Sequence, residues 1–122
     1  MSTFQTISPV DGSTYVERDF ASDDEIALTL RRASDARSAW RAMSVGERAA
    51  LMTRAVDIFV ANKEEISLEL TWQMGRPIAF APVEVGGFEE RARYMISVAE
   101  NALAAVPTEP KPGFERYIKH EP

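Results

Sequence analysis

Apolar residues return at intervals of three and four along most of this chain, and each such run opens on a helix-capping signal. Ser22-Asp23-Asp24-Glu25 has the spacing of a capping box, in which the serine hydroxyl and the glutamate carboxylate each accept a backbone N–H from the other residue. Beyond it Ile26, Leu30, Ala33, Ala36, Trp40 and Met43 form one stripe, which predicts a helix packed on another element with Trp40 as its core anchor. The same signal recurs at Ser44-Val45-Gly46-Glu47 and, with asparagine at the cap, at Asn62-Lys63-Glu64-Glu65. Two more helices follow as short antiparallel neighbours, the first burying Leu51, Met52, Ala55, Ile58 and Phe59, the second Ile66, Leu70 and Met74.

The stretch from Leu70 to Pro77 ends one helix and opens the next. Gly75 suits a left-handed C-terminal position, Arg76 places a cation near the negative end of the peptide dipoles, and Pro77 turns the chain. Pro82 is expected to break any helix begun at Pro77, so the secure helix starts near Val83 or Glu84. Its stripe is Phe88, Ala92, Met95, Ile96, Ala99, Ala102 and Leu103, opposite Glu89, Glu90, Arg93 and Glu100. Period two replaces this spacing at both ends. Phe4 to Val10 and Thr14 to Arg18 flank the turn signal Asp11-Gly12-Ser13 and predict a hairpin whose first strand stops near Ser8, because Pro9 lacks a ladder donor. Pro107 to Gly113 reads as an exposed connector, and Phe114 to Lys119 as a strand without a partner in this chain, cut off by Glu121-Pro122.

Composition narrows the function classes. A chain of 122 residues makes one domain, and a net charge of −5 with basic residues scattered along it excludes a sequence-independent grip on nucleic acid. There is no cysteine and one histidine, His120, read as a surface residue; disulfide, thiolate-metal and thiol-nucleophile chemistry are absent and no metal site is expected. No apolar run is long enough to span a membrane, which makes a cytoplasmic location the expectation. The neighbouring pairs Glu64/Glu65 and Glu89/Glu90 point about 100° apart on a helix and read as solvated faces. Gly86-Gly87 lacks the spacing of a phosphate loop and reads as a place of close packing. No nucleophile, base and oxyanion donor assemble, so the residues alone describe an α-rich α/β unit without assigned catalytic or cofactor-binding groups.

The order of certain segments nonetheless resembles one family. Ser8-Pro9-Val10-Asp11-Gly12-Ser13, a helix ending in Ala39-Trp40-Arg41, Glu47-Arg48-Ala49, Gln73-Met74-Gly75-Arg76-Pro77 and Glu84-Val85 are similar to the opening of the NAD(P)-dependent aldehyde dehydrogenase superfamily. Gln73 stands where the family usually has Glu, and Arg76 where it usually has Lys. Arg116 to Pro122 resembles the strand that leads into the family's central sheet.

The resemblance implies an N-terminal β-hairpin and the helical layer of an aldehyde dehydrogenase-like cofactor-binding domain, spanning residues 1–122 and truncated before the Rossmann sheet. The complete enzyme would oxidise a small-molecule aldehyde to a carboxylic acid with NAD or NADP through a cysteine thiohemiacetal, as a homo-oligomer. The family's nucleophile, base and cofactor-holding crossovers would lie past Pro122, so this segment alone should be inactive and hold no cofactor tightly. Its own contribution to the site would be Gly87, Phe88 and Arg91, part of the aldehyde-tunnel wall, with Gly87 leaving room for a bulky substrate. The competing expectation is a stand-alone helical interaction module that docks through its stripes and unpaired strand.

Overall fold

A computed structural model describes residues 3–120. Strands β1 (Thr3–Ile7) and β2 (Thr14–Asp19) precede four helices, α1 (Asp23–Ala42), α2 (Val45–Ala61), α3 (Lys63–Met74) and α4 (Ala81–Ala102), and β3 (Val106–Pro107) and β4 (Tyr117–Ile118) follow them. The α-rich class is the expected one. Among the described residues both sheets are antiparallel pairs, β1 with β2 and β3 with β4.

The first hairpin ends where the proline argument requires. β1 stops at Ile7, and a register shift lies between Thr6 and Ile7. Ser8 N–H then donates to Ser13 O and Gly12 N–H to Ser8 O, both at 2.8 Å, which closes the loop around a buried Ser8. Tyr15 of β2 carries the hairpin onto α3: its ring stacks on Trp72 with centroids 6.1 Å apart, and its hydroxyl donates to Glu69 Oε1 at 2.6 Å.

Both serine capping boxes form as expected. Ser22 Oγ accepts from Glu25 N–H at 3.3 Å while Glu25 Oε2 accepts from Ser22 N–H at 2.8 Å, and Ser44 and Glu47 repeat the exchange at 3.2 and 2.7 Å. The third differs. Asn62 is at once the C-cap of α2 and the N-cap of α3, and its side-chain amide donates to Ile58 O at 2.8 Å instead of accepting from α3. Asn62 has φ −93° and ψ 20°, not the extended backbone that Ser22 and Ser44 adopt as caps, and its side chain makes no capping hydrogen bond to α3.

The burial expectations need four corrections. The α1 stripe packs on no other element extensively, and no residue of α1 is buried. Trp40 is half-buried, lying 5.8 Å from the Arg48 guanidinium, and is not a core anchor. On α2 the buried residue is Val56, with Phe59 against Phe88 at 4.3 Å between ring centroids, whereas Ile58 is 65% exposed. The face toward α4 is thus rotated from the expected one. On α3 it is Ser67 that is buried, its hydroxyl donating to Lys63 O at 2.6 Å, and Met74 is 74% exposed.

The corner after α3 follows its sequence. Gly75 adopts φ +74°, its N–H donates to Thr71 O at 2.9 Å, and a Cβ there would lie 3.0 Å from Pro9 Cγ. Glycine therefore meets two needs, a left-handed backbone and close approach of the hairpin loop. Pro77 O accepts from Phe80 and Ala81, which turns the chain directly into α4. Pro82 does not delay that helix. It occupies the first turn, where its missing N–H has no intrahelical partner to lose, so α4 starts at Ala81. Among the described residues Ala81 and Val85, together with Val56, are the buried apolar ones.

Two further expectations change. Arg93, expected opposite the stripe, bridges helices by donating to Asp57 Oδ1 at 2.7 Å and to Glu89 Oε1 at 2.9 Å. The C-terminal strand is shorter than expected and is paired: Val106 lies opposite Ile118 and Pro107 opposite Tyr117, with Thr108 N–H donating to Arg116 O at 3.1 Å. Proline is excluded from a helix interior but tolerated at a short strand edge, so Pro107 belongs to a strand and not to the connector. Glu121-Pro122, expected to end β4, lies outside the described residues.

Candidate functional site

The N-terminal half of α4 places the residues singled out from sequence. Ala81 and Val85 face inward one turn apart. At about 100° per residue, Glu84, Gly87, Phe88 and Arg91 emerge on another side of the helix. There they line one open groove of 430 Å³ together with Ala92 and Met95. Gly87, Phe88 and Arg91 are thus brought together at one surface.

Each has a distinct environment. Phe88 keeps 44% of its surface exposed although its ring meets Phe59. A Cβ added to Gly87 would meet nothing within 4 Å, and the same holds for Gly86, which corrects the expectation of close packing at this pair. Both glycines lie inside α4 and leave open space. Glu84 is held by Arg76 at 2.9 Å. Arg93 is committed elsewhere, and the carboxylates of Asp57 and then Glu89 raise its already high pKa. Arg91 makes no hydrogen bond or ion pair among the described residues.

Among the described residues lining the groove there is no nucleophile–base pair. No cluster of three His, Cys, Asp or Glu able to hold a metal occurs among the described residues. The described residues also form no cradle of the usual kind for NAD(P). Its pyrophosphate needs a strand, a glycine-rich turn and a helix N-terminus in a parallel crossover, whereas the strands described here form antiparallel hairpins. No described helix is long and apolar enough to cross a membrane.

Two features escaped the sequence reading. Tyr15 and Glu69 are separated by more than fifty residues, and their hydrogen bond raises the tyrosine pKa and lowers that of the carboxyl. Glu69 accepts from Gln73 as well, which stands one turn along α3. Arg41, Arg48, Arg116, Lys119 and the exposed His120 gather around an open groove of 710 Å³ at the start of α2. These come from three segments that only the fold unites, so no linear signal marks them.

The model of the family described as "Aldehyde dehydrogenase family" matches residues 1–122. A long-chain-aldehyde dehydrogenase of Acinetobacter sp is 33% identical over 75 residues, covering 62% of this chain and 15% of its own length. The succinate-semialdehyde dehydrogenase [NADP(+)] of Deinococcus radiodurans is 33% identical over 82 residues, covering 67% of this chain and 17% of its own. The crystal structure of a putative aldehyde dehydrogenase from Burkholderia cenocepacia superposes with a TM-score of 0.86 and 27% identity, over 97% of this chain and 24% of that one. The chain spans a quarter or less of these relatives, and what it matches is their N-terminal part. A match along its whole length, with the same succession of hairpin and helices, means that this chain belongs to the aldehyde dehydrogenase family.

Proposed function

We propose that residues 1–122 form the helical outer layer of the cofactor-binding domain of an aldehyde dehydrogenase. In this reading the enzyme oxidises an aldehyde to a carboxylic acid with NAD or NADP through a cysteine thiohemiacetal, as a homo-oligomer in the cytoplasm. The nucleophile and the cofactor-holding crossovers belong to residues outside 1–122, and the isolated segment is inactive. Gly87, Phe88 and Arg91 line the aldehyde tunnel. The observation that carries this reading is the family match over residues 1–122. The Deinococcus relative is named for NADP(+) and the Acinetobacter relative for long-chain aldehydes, so the names support the reaction class without selecting one substrate.

Within that enzyme the groove on α4 would hold the aldehyde's body. Phe88 and Met95 offer apolar surface, and Gly87 leaves width beside them. The interaction-module reading used apolar stripes and an unpaired terminal strand; β4 is paired with β3, so it keeps only the stripes, such as that of α1 with Leu30 66% exposed.

A replacement experiment tests the proposal. The matched segment of the Burkholderia protein is exchanged for residues 1–122, and oxidation of several aldehydes is followed with both cofactors. Turnover by the hybrid, with none by residues 1–122 alone, is the expected result. Turnover by the isolated 122-residue chain would overturn the assignment of the chemistry to other residues.

A further inference from the structure

We propose that Arg91 determines the substrate class, so that the α4 groove takes an aldehyde whose far end carries a carboxylate. This rests on the tunnel reading above and specifies what the wall recognises. Gly87 and Arg91 stand one turn apart on the same side of α4, which puts a guanidinium beside the space the glycine leaves open. Two charged side chains line this groove. Glu84 is held by Arg76 at 2.9 Å, whereas Arg91 has no partner among the described residues. Arg93, two residues further along α4, is by contrast fully engaged by Asp57 and Glu89. Among the described residues the groove therefore offers one uncommitted positive charge.

Guanidinium is the group best matched to a carboxylate. Its planar fork of N–H donors meets both oxygens at once, and it stays charged at any pH at which the enzyme works. Phe88, Ala92 and Met95 give the intervening methylenes an apolar flank. A neutral aldehyde of the same length would leave the guanidinium without a partner, which is how a polar site rejects an analogue that lacks the matching group.

The first test uses the 122-residue chain. Backbone amide resonances are followed by NMR during titration with 5-oxopentanoate or with pentanal, which has the same number of carbons and no carboxylate. The expected result is movement of Gly87, Phe88 and Arg91 with 5-oxopentanoate alone, abolished by Arg91→Gln and partly kept by Arg91→Lys. Equal responses to both aldehydes, no response to either, or a response that survives Arg91→Gln would overturn the proposal. The Burkholderia hybrid separates this inference from the reading beneath it. There Arg91→Gln should lower the preference in kcat/KM for 5-oxopentanoate over pentanal by ~10- to 100-fold, the worth of one charged hydrogen-bonded contact. If that ratio is unchanged while Gly87→Leu still raises KM for bulky aldehydes, the carboxylate inference fails and the tunnel wall stands. If neither substitution changes KM for any aldehyde, the tunnel wall falls as well.

Discussion

Helices α1 and α2 begin with the same reciprocal serine–glutamate cap, yet only α2 acquires a partner along its length. Val56 is buried against α4, Phe59 meets Phe88, and Asp57 receives Arg93. α1 has twenty residues and an apolar stripe of similar regularity, but Leu30 on that stripe is 66% exposed and nothing on the helix is buried. Capping and periodicity are local properties, satisfied by neighbours three and four positions away. Burial requires an opposing surface, which the turn at Gly75–Pro77 supplies to α2 and α3 by returning α4 alongside them.

Polar substitutions on the two sides should break this contrast most sharply. Val85→Asp places a charge without a partner in the small core and is expected to cost ~3 to 5 kcal/mol, enough to unfold a marginal domain. Leu30→Asp on α1 should stay within ~0.5 kcal/mol, as exposed substitutions usually do. Urea melts of the two variants should therefore diverge; coincident curves would mean that α1 packs as tightly as α4.

Two single-site changes refine the boundary between the regions. Gly75→Ala forces a side chain into a left-handed backbone at a cost of ~1 to 2 kcal/mol, to which the approach to Pro9 adds. Reduced hydrogen-exchange protection in β1 and β2 should accompany the loss. Trp40→Ala should cost ~1 to 2 kcal/mol, its partial burial and its contact with Arg48, against the ~3 to 5 kcal/mol of a buried tryptophan. A melt that shifts by the larger amount would restore Trp40 as an anchor.

The caps provide the finest comparison. Ser44→Ala and Ser22→Ala each remove a capping contact worth ~1 kcal/mol to its own helix. Ser44→Ala should lower global stability, because α2 is coupled to α4; Ser22→Ala should fray α1 alone, seen as faster exchange at residues 23–26 with an unchanged urea midpoint. Acid acts on the same sites. Backbone and then hydroxyl donation from Ser22 and Ser44 depress the pKa values of Glu25 and Glu47 below the ordinary 4.5. Because the folded values are the lower ones, the stabilisation is complete above about 4.5 and disappears as pH falls through the depressed values. Circular dichroism should then show a small helix loss confined to that acidic window, and a flat signal would rule out the carboxylate half of the cap.

Sequence alone located the elements whose signals are local: the hairpin ending before Pro9, both serine caps, the glycine corner, four helices and a family resemblance carried by ordered short segments. It also named Gly87, Phe88 and Arg91, which one helical turn was bound to place near one another. Tertiary structure decided which face of each helix is covered. Ser67 and Val56 are buried while Ile58 and Met74 stay exposed, because the direction from which α4 approaches selects the face and no periodicity within one helix encodes that direction. It also decided that Asn62 serves α2, that Pro82 opens α4, that β4 finds β3, and that Arg76 and Arg93 are committed to Glu84 and to Asp57 and Glu89. Each of these depends on which groups compete for the same donor, acceptor or charge across the chain, and that competition exists only once the chain has folded.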